Sequence, residues 1–422
     1  MKKLLNIVLF LTIAVASFGE YNYPLKNPYV ATILGSSQMM TPNIKKNVPR
    51  ENYKVKIDDR EIPEQFWYSE GFKFSLIKQK EKAPLIFLLA GTGASYNSLR
   101  NKLFQRILYT AGYNVISMPS VTNGNFLLNI SKTKMPGIIY EDSIDMYKAM
   151  KIAYEKIKDE IDVSEFYLMG YSLGATESGM IAYIDEREKV FDFKRVFMVN
   201  PAVDAYKSAM RLDNFVSWEP VDRAKNMKQL IEDIVGLIKS NANPEYQKLD
   251  IATVFSIFSK VKMSDDEMKK LIGGAFRLSS MNLNYVSDIV NGLEVYNKPS
   301  DSKFRPNFDD FENINFASFD DYINKLAMPY LIKEYHLNKD EILKKASLKY
   351  IEEYLKTSKK IVAVTNADEL ILDKEDLNFL ENTFGNRVIV YPYGGHCGNM
   401  FYAENVNIML KFLKTGELKY EN

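Results

Sequence analysis

The stretch Phe166-Tyr-Leu-Met-Gly-Tyr-Ser-Leu-Gly-Ala-Thr-Glu-Ser178 decides the fold. It passes from an apolar run, through Gly170-Tyr-Ser172-Leu-Gly174, into a helical pattern. A serine at such a strand-to-helix turn sits on strained backbone, and side chains at the two glycine positions would collide with neighbouring main chain. Five residues of this kind also arise by chance, so the surroundings carry the reading.

Those surroundings alternate buried strands with amphipathic helices. Strands are expected at Pro84 to Ala90, Tyr113 to Met118, Phe166 to Gly170, Arg195 to Asn200, Ile361 to Thr365 and Arg387 to Tyr391. Several are near-continuous apolar runs, as a parallel sheet covered on both faces requires. Helical spacing appears between them at Tyr96 to Thr110, Ser143 to Ile161, Leu173 to Asp185, Lys374 to Phe384 and Gly398 to Leu413. This order predicts an α/β fold with a doubly wound, mostly parallel sheet. Asn52 to Ile57 and Phe72 to Ile77 alternate apolar and polar residues and read as an antiparallel pair at the start.

The alternation breaks between about Val203 and Lys359, too long a span for a loop in a compact domain. Helical spacing at Val221 to Lys239, Ile251 to Lys260, Ser264 to Leu278, Asn282 to Leu293 and Lys339 to Leu355 predicts a helical insertion. Ser264-Asp-Asp-Glu267 and Asn338-Lys-Asp-Glu341 read as helix starts within it, and Pro299 to Asn315 as a loop. The expected organisation is a signal peptide over 1–19, an extended lead-in over 20–51, a core over 52–205 and 358–422, and a helical cap over 206–357.

The amino terminus carries Lys2 and Lys3, the apolar stretch Leu4 to Ala16, and small residues up to Gly19. This layout is that of a secretory signal, with cleavage after Ala16 or Gly19. A bilayer span needs about 20 apolar residues, more than this stretch offers. The expectation is an exported protein, periplasmic or secreted, with no membrane span once the signal is removed.

Across 422 residues, 55 lysines and arginines balance 54 aspartates and glutamates, so no overall field favours nucleic acid. With Cys397 the single cysteine and only His336 and His396 as histidines, neither a disulfide framework nor a metal site is expected, and no cofactor motif is present. A small or lipid-like substrate fits this balance best.

A serine hydroxyl needs a base within hydrogen-bond reach and a third group that fixes the base's tautomer. His396, in Tyr391-Pro-Tyr-Gly-Gly-His-Cys-Gly-Asn-Met400, follows the last strand and precedes the last helix, where a base would hang over the sheet edge. His336 falls at a helix boundary inside the insertion and reads as a solvated or capping residue. The acid is expected at the end of the preceding strand in Val362-Ala-Val-Thr-Asn-Ala-Asp368, which favours Asp368, with Asp204 and Glu369 as rivals. Oxyanion donors are expected from the backbone amide of Leu173 and from Thr92 or Gly93 in Leu88-Leu-Ala-Gly-Thr-Gly-Ala94. That second loop lacks the Lys-Ser/Thr ending of a phosphate-binding loop.

With Ser172, Asp368 and His396 in the order nucleophile, acid, base, each at a strand end, the chain resembles the α/β-hydrolase superfamily over roughly residues 52–205 and 358–415. The resemblance implies an eight-stranded, mostly parallel sheet with a lid inserted after the sixth strand. Many members carry His-Gly in the first oxyanion loop, where this chain has Ala90-Gly91. A serine nucleophile separates it from the epoxide hydrolases and haloalkane dehalogenases, which use aspartate there. The expected activity is cleavage of a carboxylic ester through an acyl-enzyme. An acyltransferase, a peptidase or a non-catalytic binding protein on the same scaffold are the alternatives. Phe255, Phe258, Met263, Phe276, Met281, Tyr285 and Tyr296 of the insertion are candidate acyl-pocket residues, though each taken alone is more readily explained as core, and Cys397 reads as a packing residue.

Overall fold

The computed structural model describes residues 21–419 except 38–39, 46, 59, 217–225, 227, 230–231, 233–262, 297–313 and 315–316. The amino-terminal stretch read as a signal peptide, the helix expected at Ile251 to Lys260, most of that expected at Val221 to Lys239, and nearly all of the loop at Pro299 to Asn315 lie outside the described residues.

Eight strands form one sheet: β1 (Arg50–Val55), β2 (Phe72–Ile77), β3 (Ala83–Leu89), β4 (Asn114–Met118), β5 (Val163–Tyr171), β6 (Arg195–Val199), β7 (Ile361–Asn366) and β8 (Val388–Tyr391). Their spatial order is β1-β2-β4-β3-β5-β6-β7-β8. β2 runs antiparallel to both β1 and β4, and every pair from β4 to β8 is parallel. This is the α/β-hydrolase fold, with the sheet expected from the alternating pattern and the antiparallel pair at its start.

The apolar runs arise because both faces of the sheet are packed. In β3, Leu85, Phe87 and Leu89 enter one buried cluster, and Ile86 and Leu88 enter the other. A run without polar alternation is what two covered faces demand. Helices α2 (Leu99–Thr110), α4 (Ile139–Ile157) and α5 (Leu173–Glu188) fill the first crossovers, α11 (Lys374–Phe384) fills the last, and α12 (Ala403–Thr415) follows β8. Because β4 lies to one side of β3 and β5 to the other, the chain reverses its winding there. The β3 and β5 carboxyl ends therefore flank a crevice, the usual ligand position in an open α/β sheet.

Between β6 and β7 come α6 (Ala205–Asp213), the 26-residue α7 (Asp265–Val290), α8 (Met328–Tyr335), α9 (Lys339–Lys345) and α10 (Glu352–Thr357). Ser264 and Asn338 cap the two helix starts read from the sequence, and Glu267 and Glu341 complete capping boxes there. The two helical stretches read at Ser264 to Leu278 and Asn282 to Leu293 are one continuous helix. The stretch at Lys339 to Leu355 is broken by a 3-10 turn at Leu348–Ile351. Helix α7 is pinned to α6 by a buried ion pair: Arg277 Nε lies 2.7 Å from Asp213 Oδ1, and both side chains are 4% exposed. Removing one partner of such a pair typically costs about 3–5 kcal/mol.

The lead-in expected to be extended instead contains helix α1 (Pro28–Leu34). Pro28 sits at its first turn, and the Asn27 side chain accepts hydrogen bonds from the amides of Tyr29 and Val30, a start signal embedded in a segment too short to show periodicity. Short helices α3 (Gly124–Asn129) and α6 were likewise too brief to read. Among the described residues no helix is long and apolar enough to cross a membrane.

Candidate active site

Ser172 stands between β5 and α5 with φ 55° and ψ −127°, a conformation costly for any residue with a side chain. The chain tolerates it because the flanking positions are empty. A Cβ on Gly170 would come within 2.1 Å of the Gly174 carbonyl oxygen, and one on Gly174 within 2.6 Å of the Leu89 carbonyl oxygen. The Ser172 amide donates to the Val199 carbonyl at 2.9 Å, which ties the turn to β6.

His396 follows β8 and reaches across to this turn. Its Nε2 lies 2.9 Å from Ser172 Oγ, and its Nδ1 lies 2.8 Å from Glu369 Oε1. With a carboxylate at Nδ1, that nitrogen carries the proton and Nε2 faces the serine as acceptor. Burial pulls the imidazolium pKa down, while the Cys397 sulfur, 3.9 Å from Nε2, and the Glu369 carboxylate push it up; the net direction is upward from the ordinary 6.5.

The carboxylate that meets the histidine is Glu369, not the favoured Asp368. After β7 the chain turns sharply, with the Glu369 amide donating to Asn366 O at 3.2 Å, and successive side chains face different ways. Asp368 Oδ1 accepts from the Gly395 amide at 2.9 Å and so holds the backbone of the histidine loop, not its ring. Burial raises its pKa. Glu369 is the carboxylate held for the ring: Oε1 also accepts from the amides of Leu370 and Ile371, and Oε2 from Asn200 Nδ2 at 2.6 Å. Asp204, the other rival, caps α6 through Lys207 N at 3.0 Å. His336 ends α8 in a left-handed conformation, φ 53°, within the insertion.

Asn200 and Thr32 were not singled out in the sequence. Asn200, at the end of β6 with φ 48°, orients Glu369, and the Asn200-Pro201 strand end was the available signal. Thr32, in α1, accepts the His396 backbone N–H at 2.8 Å through its hydroxyl, 364 residues away in sequence. No local pattern encodes such a contact.

For an oxyanion, the Leu173 amide is the first N–H of α5, where the helix leaves a donor unpaired and its positive end faces the serine. Of the two candidates after β3, the Gly93 amide is taken by Thr122 Oγ1 at 2.7 Å, which overturns its role. Thr92 lines the cavity with Ser172 and Leu173. A Cβ on Gly91 would sit 3.1 Å from the Ser172 Cβ, so glycine is what lets this loop close on the serine.

Ser172 opens into a cavity of about 100 Å³ whose wall includes Val121, Ile139, Leu212, Phe276, Leu283 and Ile371. Of the insertion residues proposed for a pocket, Phe276 lines it. Met281, Tyr285 and Tyr296 belong to the same apolar cluster as Leu283 without lining the cavity, and Phe255 and Phe258 lie outside the described residues. Among the described residues, no group of three or more histidines, cysteines, aspartates or glutamates is placed to hold a metal ion.

No protein-family profile matches the chain, and no curated protein matches it. Solved structures with a similar chain path include an esterase of Pyrococcus furiosus, 11% identical, covering 87% of this chain and 92% of that one at a TM-score of 0.40. An esterase of Pyrobaculum calidifontis is 14% identical, with 88% and 87% covered and a TM-score of 0.38. An acylaminoacyl peptidase of Pyrococcus horikoshii is 12% identical over 89% of this chain and 43% of that one, with a TM-score of 0.42. At such identities and scores the fold is defined by the strand order described above.

Proposed function

We propose that this chain is an exported serine hydrolase that cleaves a carboxylic ester, with Ser172 as nucleophile, His396 as base and Glu369 as the residue that orients it. The observation that carries this reading is the continuous hydrogen-bond chain from Glu369 through His396 to Ser172, on a strained turn facing an apolar cavity.

As Ser172 Oγ attacks the ester carbonyl, its proton passes to His396 Nε2, and Glu369 stabilises the resulting imidazolium. The carbonyl oxygen becomes an oxyanion held by the amides of Leu173 and Thr92. His396 then gives the proton to the departing alcohol, leaving an acyl-enzyme. Water, deprotonated by the same nitrogen, attacks the acyl carbonyl; the serine leaves and regains the proton, and the acid is released. The export signal at Lys2, Lys3 and Leu4 to Ala16 supports a periplasmic or secreted enzyme.

The test is labelling of the purified protein by a fluorophosphonate, together with turnover of p-nitrophenyl esters. Ser172→Ala and His396→Ala are expected to abolish labelling and lower kcat on the order of 10⁴-fold or more. A folded wild-type protein that neither labels nor turns over any ester overturns the proposal. A mature amino terminus just after Ala16 or Gly19 supports export, and a cell-retained full-length chain counts against it.

A further inference from the structure

The cavity in front of Ser172 has a mostly apolar wall, with one cluster of polar side chains away from the serine turn. There Asp142, Tyr206 and Tyr322 converge on the Pro136-Gly137 backbone. The Gly137 amide donates to Asp142 Oδ2 at 2.9 Å, and Tyr322 donates its hydroxyl proton to Pro136 O at 2.6 Å. The Tyr206 hydroxyl lies against Gly137, 3.0 Å from where a Cβ would project, which accounts for a glycine there with φ 159°.

Tyr322 is satisfied by its carbonyl. Tyr206 is not: its hydroxyl is buried and has no hydrogen-bond partner among the described residues. Leaving such a group unpaired costs about 1–3 kcal/mol, a cost that a ligand reaching it would remove. Asp142, 5% exposed, lies on α4 beside it and also lines the cavity. Burial pushes its carboxyl well above the usual range, and the neighbouring Glu177, fully buried, is raised in the same way. The Asp142 carboxyl is thus biased towards its neutral form.

We infer that this polar spot is a specificity site for the acyl group, and that the substrate acid carries an uncharged hydroxyl on its chain. A hydroxyl can accept from Tyr206 and donate to Asp142 while the methylenes before it fill the apolar wall. A carboxylate would be desolvated with no lysine or arginine among the lining residues to pair it. A site built to pair a hydroxyl discriminates against the plain chain because its own polar groups are then left unpaired.

The inference rests on the hydrolase reading, and the two fail differently. The experiment compares kcat/KM for p-nitrophenyl esters of straight-chain acids from butanoate to octanoate, each plain, with a hydroxyl at successive carbons, or with a terminal ammonium. The wild-type enzyme is expected to favour one hydroxylated chain at least about tenfold over its plain counterpart. Tyr206→Phe, which removes only the hydroxyl, is expected to bring that ratio down towards unity while the protein still labels with fluorophosphonate. Labelling with equal rates on plain and hydroxylated chains, or a preference for the ammonium chain, overturns the specificity site and leaves the hydrolase proposal standing. A preference that survives Tyr206→Phe also overturns the assignment. Absence of labelling and turnover in the wild type overturns the hydrolase proposal instead. The wild-type series decides whether or not the variant folds.

Discussion

The serine and the histidine of the site are held by different means. Ser172 sits on a turn between two adjacent elements at the centre of the sheet, with β3 and β6 on either side of β5. Everything that shapes it is either next to it in sequence or on those neighbouring strands. His396 follows β8, the edge strand, which pairs only with β7. Its loop is clamped by the other end of the chain: Thr32 accepts the His396 amide, Tyr23 and Ser36 donate to Gly398 O, and the Tyr393 hydroxyl donates to Tyr21 O. Gly395, with φ 56°, would carry a Cβ 2.2 Å from Pro28 O, so the loop and α1 are in backbone contact. A nucleophile can be built locally, whereas a base that must reach over a sheet edge needs a brace from elsewhere.

The comparison is most directly broken at the carboxylates. Glu369→Gln is expected to cut kcat on the order of 10³–10⁴-fold, and Asp368→Asn about tenfold or less, since asparagine still accepts from Gly395. Equal losses would mean that the histidine is held differently from the arrangement described. The same pair carries a pH prediction. Activity requires neutral His396, whose pKa lies above 6.5, so kcat/KM rises with pH through an ionisation above that value. Glu369→Gln removes a negative charge that raises it, and its residual activity should titrate at lower pH.

A smaller effect is expected at the brace. Thr32→Val keeps the shape of the side chain and removes the acceptor of the His396 amide, which should lower kcat about tenfold and stability by about 1–2 kcal/mol. Unchanged activity would make the amino-terminal segment a cover and not a brace. Truncation to remove residues 21–37 is a cruder version, because it also deletes the buried Tyr23 and Ala31 and uncovers the core they pack against.

The smallest effect is one of stability alone. Both carboxyl oxygens of Glu177 are buried without partners among the described residues, and its pKa is raised well above 4.5. The folded chain then binds the proton more tightly than the unfolded one, so its penalty is absent below about pH 4.5 and grows as pH rises towards the folded value. Glu177→Gln should therefore raise the thermal midpoint at pH 8 and leave it unchanged near pH 4.5. A variant equally or less stable at pH 8 would show that the carboxylate has a compensating partner.

What the sequence disclosed follows the same division. Gly170, Ser172 and Gly174, and the apolar runs of β3 to β8, are dictated within a few residues, and periodicity exposes them. His396 was legible through scarcity, as one of two histidines and the one at a strand end. The choice between Asp368 and Glu369 turned on which way a tight turn directs adjacent side chains, which side-chain chemistry does not encode. Asn200, Thr32 and the polar spot at Asp142 and Tyr206 are assembled from segments far apart in the chain, and each residue alone looks like an ordinary cap or core position. Gly93 failed as an oxyanion donor for a comparable reason: Thr122, 29 residues on, occupies its amide.

The clamp across the histidine loop also sets an order of events in synthesis. His396 and Thr32 are 364 residues apart, and Ser36 and Gly398 are 362 apart, so the base cannot be fixed until nearly the last helix has left the ribosome. The serine turn, by contrast, can form once β3, β5 and β6 are present. Closing such a long loop is slow and comes late in folding. The chain would travel most of its biogenesis with the serine turn built and the histidine unset, so that the proposed catalytic pair is completed only as the final step of folding.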